Sequence, residues 1–164
     1  VLAAPPCEQF SFAKTTGKPR DLEKGMEIVI SCLNIIWRCQ YKLPSPYAKT
    51  TTLKFWALEN PNGLLKRFLG YPIFEFNPFD FGDEYQKQTF VWGYFNLPKK
   101  CLVKLSPKLK KLSRTHSQPP AKYMKFDRLK TKEIHPKYYG IYDRKARRAI
   151  TPPGFAKAFF LSNQ

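Results

Sequence analysis

The chain opens on a short uncharged apolar run, Val1 to Ala4, which Pro5-Pro6 stops. Such a run predicts a buried strand. Paired prolines end it, because neither donates to a sheet ladder and both fix the backbone. Phe12 to Arg20, with Gly17, Pro19 and three cations, has loop chemistry. From Asp21 to Tyr41, Leu22, Met26, Val29, Ile30, Leu33, Ile36 and Trp37 recur at three- and four-residue steps. That spacing predicts a helix with one broad buried face, Asp21 serving as its N-cap. Lys42 to Thr52, with Pro44 and Pro46, reads as a connector, and Leu53 to Leu58 as the next strand, ending at Glu59-Asn60-Pro61. Strand, helix and strand in this order imply a right-handed crossover and a parallel pair.

Asn62 to Leu69 predicts a short helix with Leu64, Leu65, Phe68 and Leu69 on its inner side. Tyr71 to Phe76 alternates towards a strand, Asn77 to Asp83 is a turn-rich loop carrying aromatics, and Thr89 to Phe95 is another strand. From Lys99 onwards periodicity fades. Lysines are interleaved there with Leu102, Leu105, Leu109 and Leu112, then with Tyr123, Phe126, Tyr138, Tyr139 and Tyr142. Thr151 to Leu161 closes the chain as a helix that docks on the core, with Thr151 as the cap and proline in the first turn.

Composition narrows the class. At 164 residues the chain has the length of one domain, and 43% hydrophobic with 16% aromatic residues argues against wholesale disorder. The formal charge of +17 is unevenly distributed. Lys99 to Arg148 carries 17 basic and 3 acidic residues, against 12 basic and 9 acidic in the rest of the chain. A basic block of this kind points to a polyanion, nucleic acid first and acidic membrane second, or else to a solvated lysine-rich loop. The cysteines, Cys7, Cys32, Cys39 and Cys101, contain no C-x-x-C pair, and His116 and His135 complete no zinc pattern. With no secretory signal and no need for staples at this size, a reducing compartment is expected. No apolar run reaches membrane-spanning length. The first residue is Val rather than Met and enters directly on a strand, so the chain reads as a fragment or as one with its upstream part removed.

The candidate chemistry lies at the strand ends. Cys7 follows the first strand on a stiff proline loop beside Glu8, Gln9 and Ser11, and ligands of open α/β sheets bind at such ends. A thiol there is placed to act as a nucleophile, although spacing alone favours an ordinary buried or idle cysteine. A parallel pair would bring Glu59, about fifty residues away, beside it. A Cys–Glu pair suits chemistry on an electron-poor ring: the thiolate attacks a ring carbon while the carboxyl group shares a hydrogen bond as charge develops.

On these residues the chain resembles the cytosine-5 DNA methyltransferases. Pro6-Cys7-Glu8-Gln9-Phe10-Ser11 is similar to that family's P-C-Q-x-F-S nucleophile motif, and Glu59-Asn60-Pro61 to its E-N-V motif. Phe81 to Thr89 resembles the Y-G-x-P-Q-x-R-x-R segment, of which the glycine and one basic position, Lys87, survive. Thr151 to Ala158 is similar to the segment that returns to the cofactor side. The likeness runs from residue 1 to about 98 and from about 145 to the end, with the motifs in order.

The resemblance implies an α/β fold with an incomplete Rossmann-like class I methyltransferase sheet, central parallel strands plus an antiparallel edge. Residues 1–98 would form the catalytic half, 99–145 a small basic target-recognition region, and 146–164 a helix returning to the core. Cys7 would add to carbon 6 of cytosine, and Glu59 would hold the ring at nitrogen 3. Asn60 would brace the Pro6-Cys7 loop, Pro6 would line the side of the methyl donor, S-adenosylmethionine, and Lys87 would stand near the target base or phosphate. Thr89 occupies the place of the second arginine. Duplex DNA is the expected partner, its target base flipped out. Ser11, Lys99, Lys100, Lys104, Lys108, Lys110, Lys111 and Arg114 are the expected DNA contacts, lysines without pattern gripping phosphate. Tyr138, Tyr139 and Tyr142 fit base stacking or core packing equally. None of the eight glycines forms the G-x-G of a donor-binding turn, so a second segment or chain is expected to supply that half. The expected setting is the cytoplasm, in a bacterial, phage or viral context, or wherever DNA is; secretion is not expected. Two rivals stay open: an inactive methyltransferase-like DNA-binding protein, and a basic RNA- or ribosome-associated protein.

Overall fold

The computed structural model describes residues 1–14, 17–40, 53–83, 85–101 and 149–164. The fold is α/β. Strand β1 (Leu2–Ala3) leads to helix α1 (Leu22–Gln40), strand β2 (Trp56–Pro61), helix α2 (Lys66–Leu69) and strand β3 (Phe74–Phe76). A 3-10 turn over Pro78–Phe81, strand β4 (Thr89–Tyr94) and helix α3 (Pro153–Ser162) complete the order. The strands form one open mixed sheet in the order β1-β2-β4-β3. β1 and β2 are parallel, with Leu2 opposite Ala57 and Ala3 opposite Leu58, while β2 and β4 run antiparallel. The parallel pair expected from the strand–helix–strand order is therefore present.

Two compact units divide the chain. The first comprises Val1–Glu75, Thr89–Leu97 and Asn163; the second comprises Phe76–Gln88, Pro98–Ser162 and Gln164. In the first, Phe10, Val29, Leu58, Leu65, Phe90 and Trp92 form the core, with Leu22, Met26, Cys32 and Leu33 of α1 packed against it. Helix α1 starts as its sequence dictates. The Asp21 Oδ1 accepts the Lys24 N–H at 3.0 Å, one of the donors that a helix start leaves unpaired. Its buried stripe is narrower than the periodicity predicts, because Ile30 and Trp37 are exposed, Trp37 by 65%, while Gly25, Val29 and Ile36 are buried.

Other boundaries also move. β2 begins at Trp56 and runs through Glu59, Asn60 and Pro61, because β4 pairs with all three, opposite Val91, Phe90 and Thr89. The helix expected from Asn62 reduces to Lys66–Leu69, since the backbone at 62–64 is committed to residues 10–12. Phe68, expected to face inward, is half exposed, as is Ile73, and Tyr71 is almost fully exposed, before a strand shortened to Phe74–Phe76.

In the second unit Phe76, Phe81 and Phe155 pack as an aromatic trio. Phe76 and Phe155 stack at 3.9 Å between centroids, and Phe81 meets both edge-on. Helix α3 starts at Pro153, which needs no N–H partner in the first turn. Its cap comes from far along the chain rather than from Thr151: the Asp83 Oδ2 accepts the Gly154 N–H at 3.1 Å. The connector at 42–52, all of 102–148, and with them Lys104, Lys108, Lys110, Lys111, Arg114, Tyr138, Tyr139 and Tyr142, lie outside the described residues. Among the described residues no helix is long and apolar enough to cross a membrane.

Candidate active site

Cys7 begins a single helical turn. Its carbonyl accepts the N–H groups of Phe10 at 3.0 Å and Ser11 at 2.8 Å, so the four residues after Pro6 are wound tightly. Cys7 is half-buried, between an exposed Pro6 and an exposed Glu8. Phe10 is fully buried in the core and roots the turn. Burying a Phe side chain contributes about 1.5–3 kcal/mol.

Three contacts hold this turn against the end of β2. The buried Asn60 amide donates to the Pro5 carbonyl at 3.0 Å, just ahead of Pro6-Cys7. Leu64 N–H donates to the Phe10 carbonyl at 2.8 Å, and Phe12 N–H to the Asn62 carbonyl at 3.4 Å. Ser11 and Gly63 form an isolated bridge between the two segments. A Cβ on Gly63 would lie 2.2 Å from the Phe10 oxygen, so only glycine permits that approach. Asn60 Oδ1 is buried with no hydrogen-bond partner among the described residues.

Parallel register fixes the pairing of the two motifs. Glu59 follows Leu58, which stands opposite Ala3, while Cys7 lies just beyond the end of β1. Glu59 is half-buried with one carboxylate oxygen shielded from solvent. It lies within β2, whose alternation sends Glu59 and Asn60 to opposite faces. The structure thus brings the segment that carries Pro6, Cys7 and Ser11 to the end of β2 that carries Glu59 and Asn60.

The remaining expected residues stand as follows. Ser11 is buried, and its Oγ accepts the Ala13 N–H at 3.2 Å, a turn-forming contact. Lys87 donates to the Ile150 carbonyl at 3.4 Å. Thr89 is buried in β4, opposite Pro61. Lys99 is exposed, and Lys100 pairs with Asp80 at 3.1 Å. None of the four cysteines is joined in a disulfide.

Two residues of this constellation, Arg20 and Gly25, escape the sequence reading, and Gln9 takes a bracing role that the motif does not assign to it. Arg20 donates to the carbonyls of Gln9 at 3.0 Å, Ser11 at 2.9 Å and Lys14 at 3.1 Å. Gln9 Oε1 in turn accepts the Asp21 N–H at 2.9 Å, joining the turn to the start of α1. At Gly25 a Cβ would come within 2.9 Å of Gln9 and Phe10, which explains a glycine inside a helix where it costs stability. The arginine next to the helix cap was the one available signal; carbonyl partners leave no pattern in side-chain chemistry. No protein-family model matches this sequence, and no curated protein matches it either.

Proposed function

We propose that the chain is the catalytic and target-recognition portion of a DNA (cytosine-5-)-methyltransferase of the Rossmann-like class. The observation that carries the reading is the Asn60–Pro5 hydrogen bond of 3.0 Å, which ties the Glu59-Asn60-Pro61 segment to the Pro5-Pro6-Cys7 loop at adjoining strand ends. That bond joins two motifs widely separated in sequence, one carrying a thiol and the other a carboxyl group, the two groups that ring chemistry needs.

The chemistry assigned to this chain is formation of the covalent adduct. The Cys7 thiolate forms a bond to carbon 6 of a flipped-out cytosine, and the ring's electron pair moves to the carbon 5 side. Glu59 holds nitrogen 3 by a hydrogen bond and stabilises the charge that accumulates there. The Phe10-rooted turn fixes the thiol, and Asn60 fixes the loop that precedes it. S-adenosylmethionine, the donor implied by the resemblance, would supply the methyl group that carbon 5 takes up.

Among the described residues no donor site is assembled. Pro6 is the one residue assigned to that side, and none of the eight glycines makes a G-x-G turn. The donor half is therefore assigned to a second segment or chain. Duplex DNA is held chiefly by the basic stretch that begins at Lys99, through phosphate contacts. A catalytically inactive DNA-binding relative is the second reading. It is favoured by Thr89, which sits buried in the β4 ladder where the resemblance calls for an arginine.

The test is covalent trapping on duplex DNA containing 5-fluorocytosine, with S-adenosylmethionine and the donor-binding segment supplied. A Cys7-dependent adduct is expected, and Cys7→Ser abolishes it. Tight DNA binding without an adduct in any cytosine context would leave the inactive relative standing. Preference for RNA with no dependence on Cys7 would remove both in favour of an RNA-associated protein.

A further inference from the structure

We propose that Arg20 is a positioning residue for the Cys7 nucleophile, an assignment that rests on the reading of Cys7 given above. Three backbone carbonyls, those of Gln9, Ser11 and Lys14, converge on one guanidinium at 2.9–3.1 Å. Two of them belong to the turn whose N–H groups bind the Cys7 carbonyl. Nη1 serves Gln9, and Nη2 is shared between Ser11 and Lys14. Convergence of this kind uses the planar fork of arginine; a lysine ammonium is a single point donor and cannot span it.

The anchor itself is fixed. The next residue, Asp21, caps α1 through its side chain and donates its own N–H to Gln9 Oε1. The turn is thus strapped to the start of a 19-residue helix on one side and, on the other, to β2 through Asn60 and to the segment after β2 through Leu64. Without Arg20, three part-buried carbonyls lose their common donor. The segment from Gln9 to Lys14 would then relax away from α1, carrying the Cys7 turn with it. Nucleophilic attack on a ring carbon tolerates little displacement, and an offset of about 1 Å costs about a hundredfold in rate.

The experiment measures the rate of adduct formation with 5-fluorocytosine DNA at saturating DNA and donor, in the protein assembled with its donor-binding segment. Arg20→Ala should slow trapping about ten- to a hundredfold while DNA affinity changes little, and it should lower the thermal midpoint because three part-buried carbonyls lose their donor. Arg20→Lys should fall between the two, and sub-denaturing guanidinium should restore part of the Arg20→Ala rate but none of the Cys7→Ser rate. Trapping by Arg20→Ala at the wild-type rate would overturn the assignment. So would a loss of DNA affinity in place of rate, or a slowing that neither lysine nor guanidinium relieves. If Arg20→Ala does not fold, Arg20→Lys decides, with wild-type trapping counting against the proposal. If the wild-type protein forms no adduct, the reading of Cys7 itself fails and the role of Arg20 falls with it.

Discussion

Asn60 and Gly63 show how single positions fix the candidate site. Asn60 is fully buried and spends its amide on a carbonyl more than fifty residues away. Asn60→Ala removes that donor and leaves the Pro5 carbonyl with one partner fewer, at a cost of about 1–3 kcal/mol. Urea titration should show this as a lower midpoint with an unchanged slope. The same variant should also slow trapping by Cys7, since the loop loses its brace. Gly63→Ala is expected to be worse for stability. Its Cβ would strike the Phe10 carbonyl, which already accepts the Leu64 N–H, so the two segments must separate rather than repack. Neither constraint is written in the residue's own chemistry. Glu59-Asn60-Pro61 draws attention as a motif, but Gly63 falls inside the stretch that the sequence reads as a short helix.

At the scale of elements, local signals were legible and distant ones were not. Asp21 caps α1 as its sequence predicts, because an N-cap needs only a side chain and an N–H three residues on. The cap of α3 is the counterexample. Thr151 is the local candidate, yet the Asp83 carboxylate, some seventy residues earlier, accepts the Gly154 N–H. Asp83→Ala should therefore weaken the first turn of α3 by about 0.5–2 kcal/mol, read as faster amide exchange at Gly154, whereas Thr151→Ala should leave that amide unchanged. The short helix expected after Pro61 begins only at Lys66 for a related reason: the backbone at 62–64 is paired with residues 10–12. On α1 the periodicity gave the right direction for the buried face but overstated its width. Ile28 and Ile35 lie exposed on one flank of the stripe, Ile30 and Trp37 on the other. Hydropathy records which residues are apolar, while the width of the buried face depends on what packs against it.

At the scale of the whole molecule, reaction chemistry and affinity are assigned to different stretches of sequence. Cys7, Glu59 and Asn60 belong to a portion whose charges nearly balance, whereas Lys99 to Arg148 carries 17 basic residues against 3 acidic ones. Phosphate contacts release counterions, so each one lost should flatten the dependence of log affinity on log salt by about 0.9. Replacing Lys104, Lys108, Lys110, Lys111 and Arg114 together with Gln should then reduce the slope on duplex DNA by up to about 4.5 and weaken binding across all sequences alike. Cys7→Ser should leave that slope where it is. The converse also follows. At DNA concentrations that saturate the neutralised variant, its trapping rate should match wild type, because the strand-end constellation is untouched. A slope that stays constant after neutralisation would show that the basic stretch is not the DNA grip. A trapping rate that falls at saturation would show that the same residues also orient the base. Running the titration on RNA of matched length separates a polyanion preference from a duplex-DNA one, since charge alone does not distinguish them.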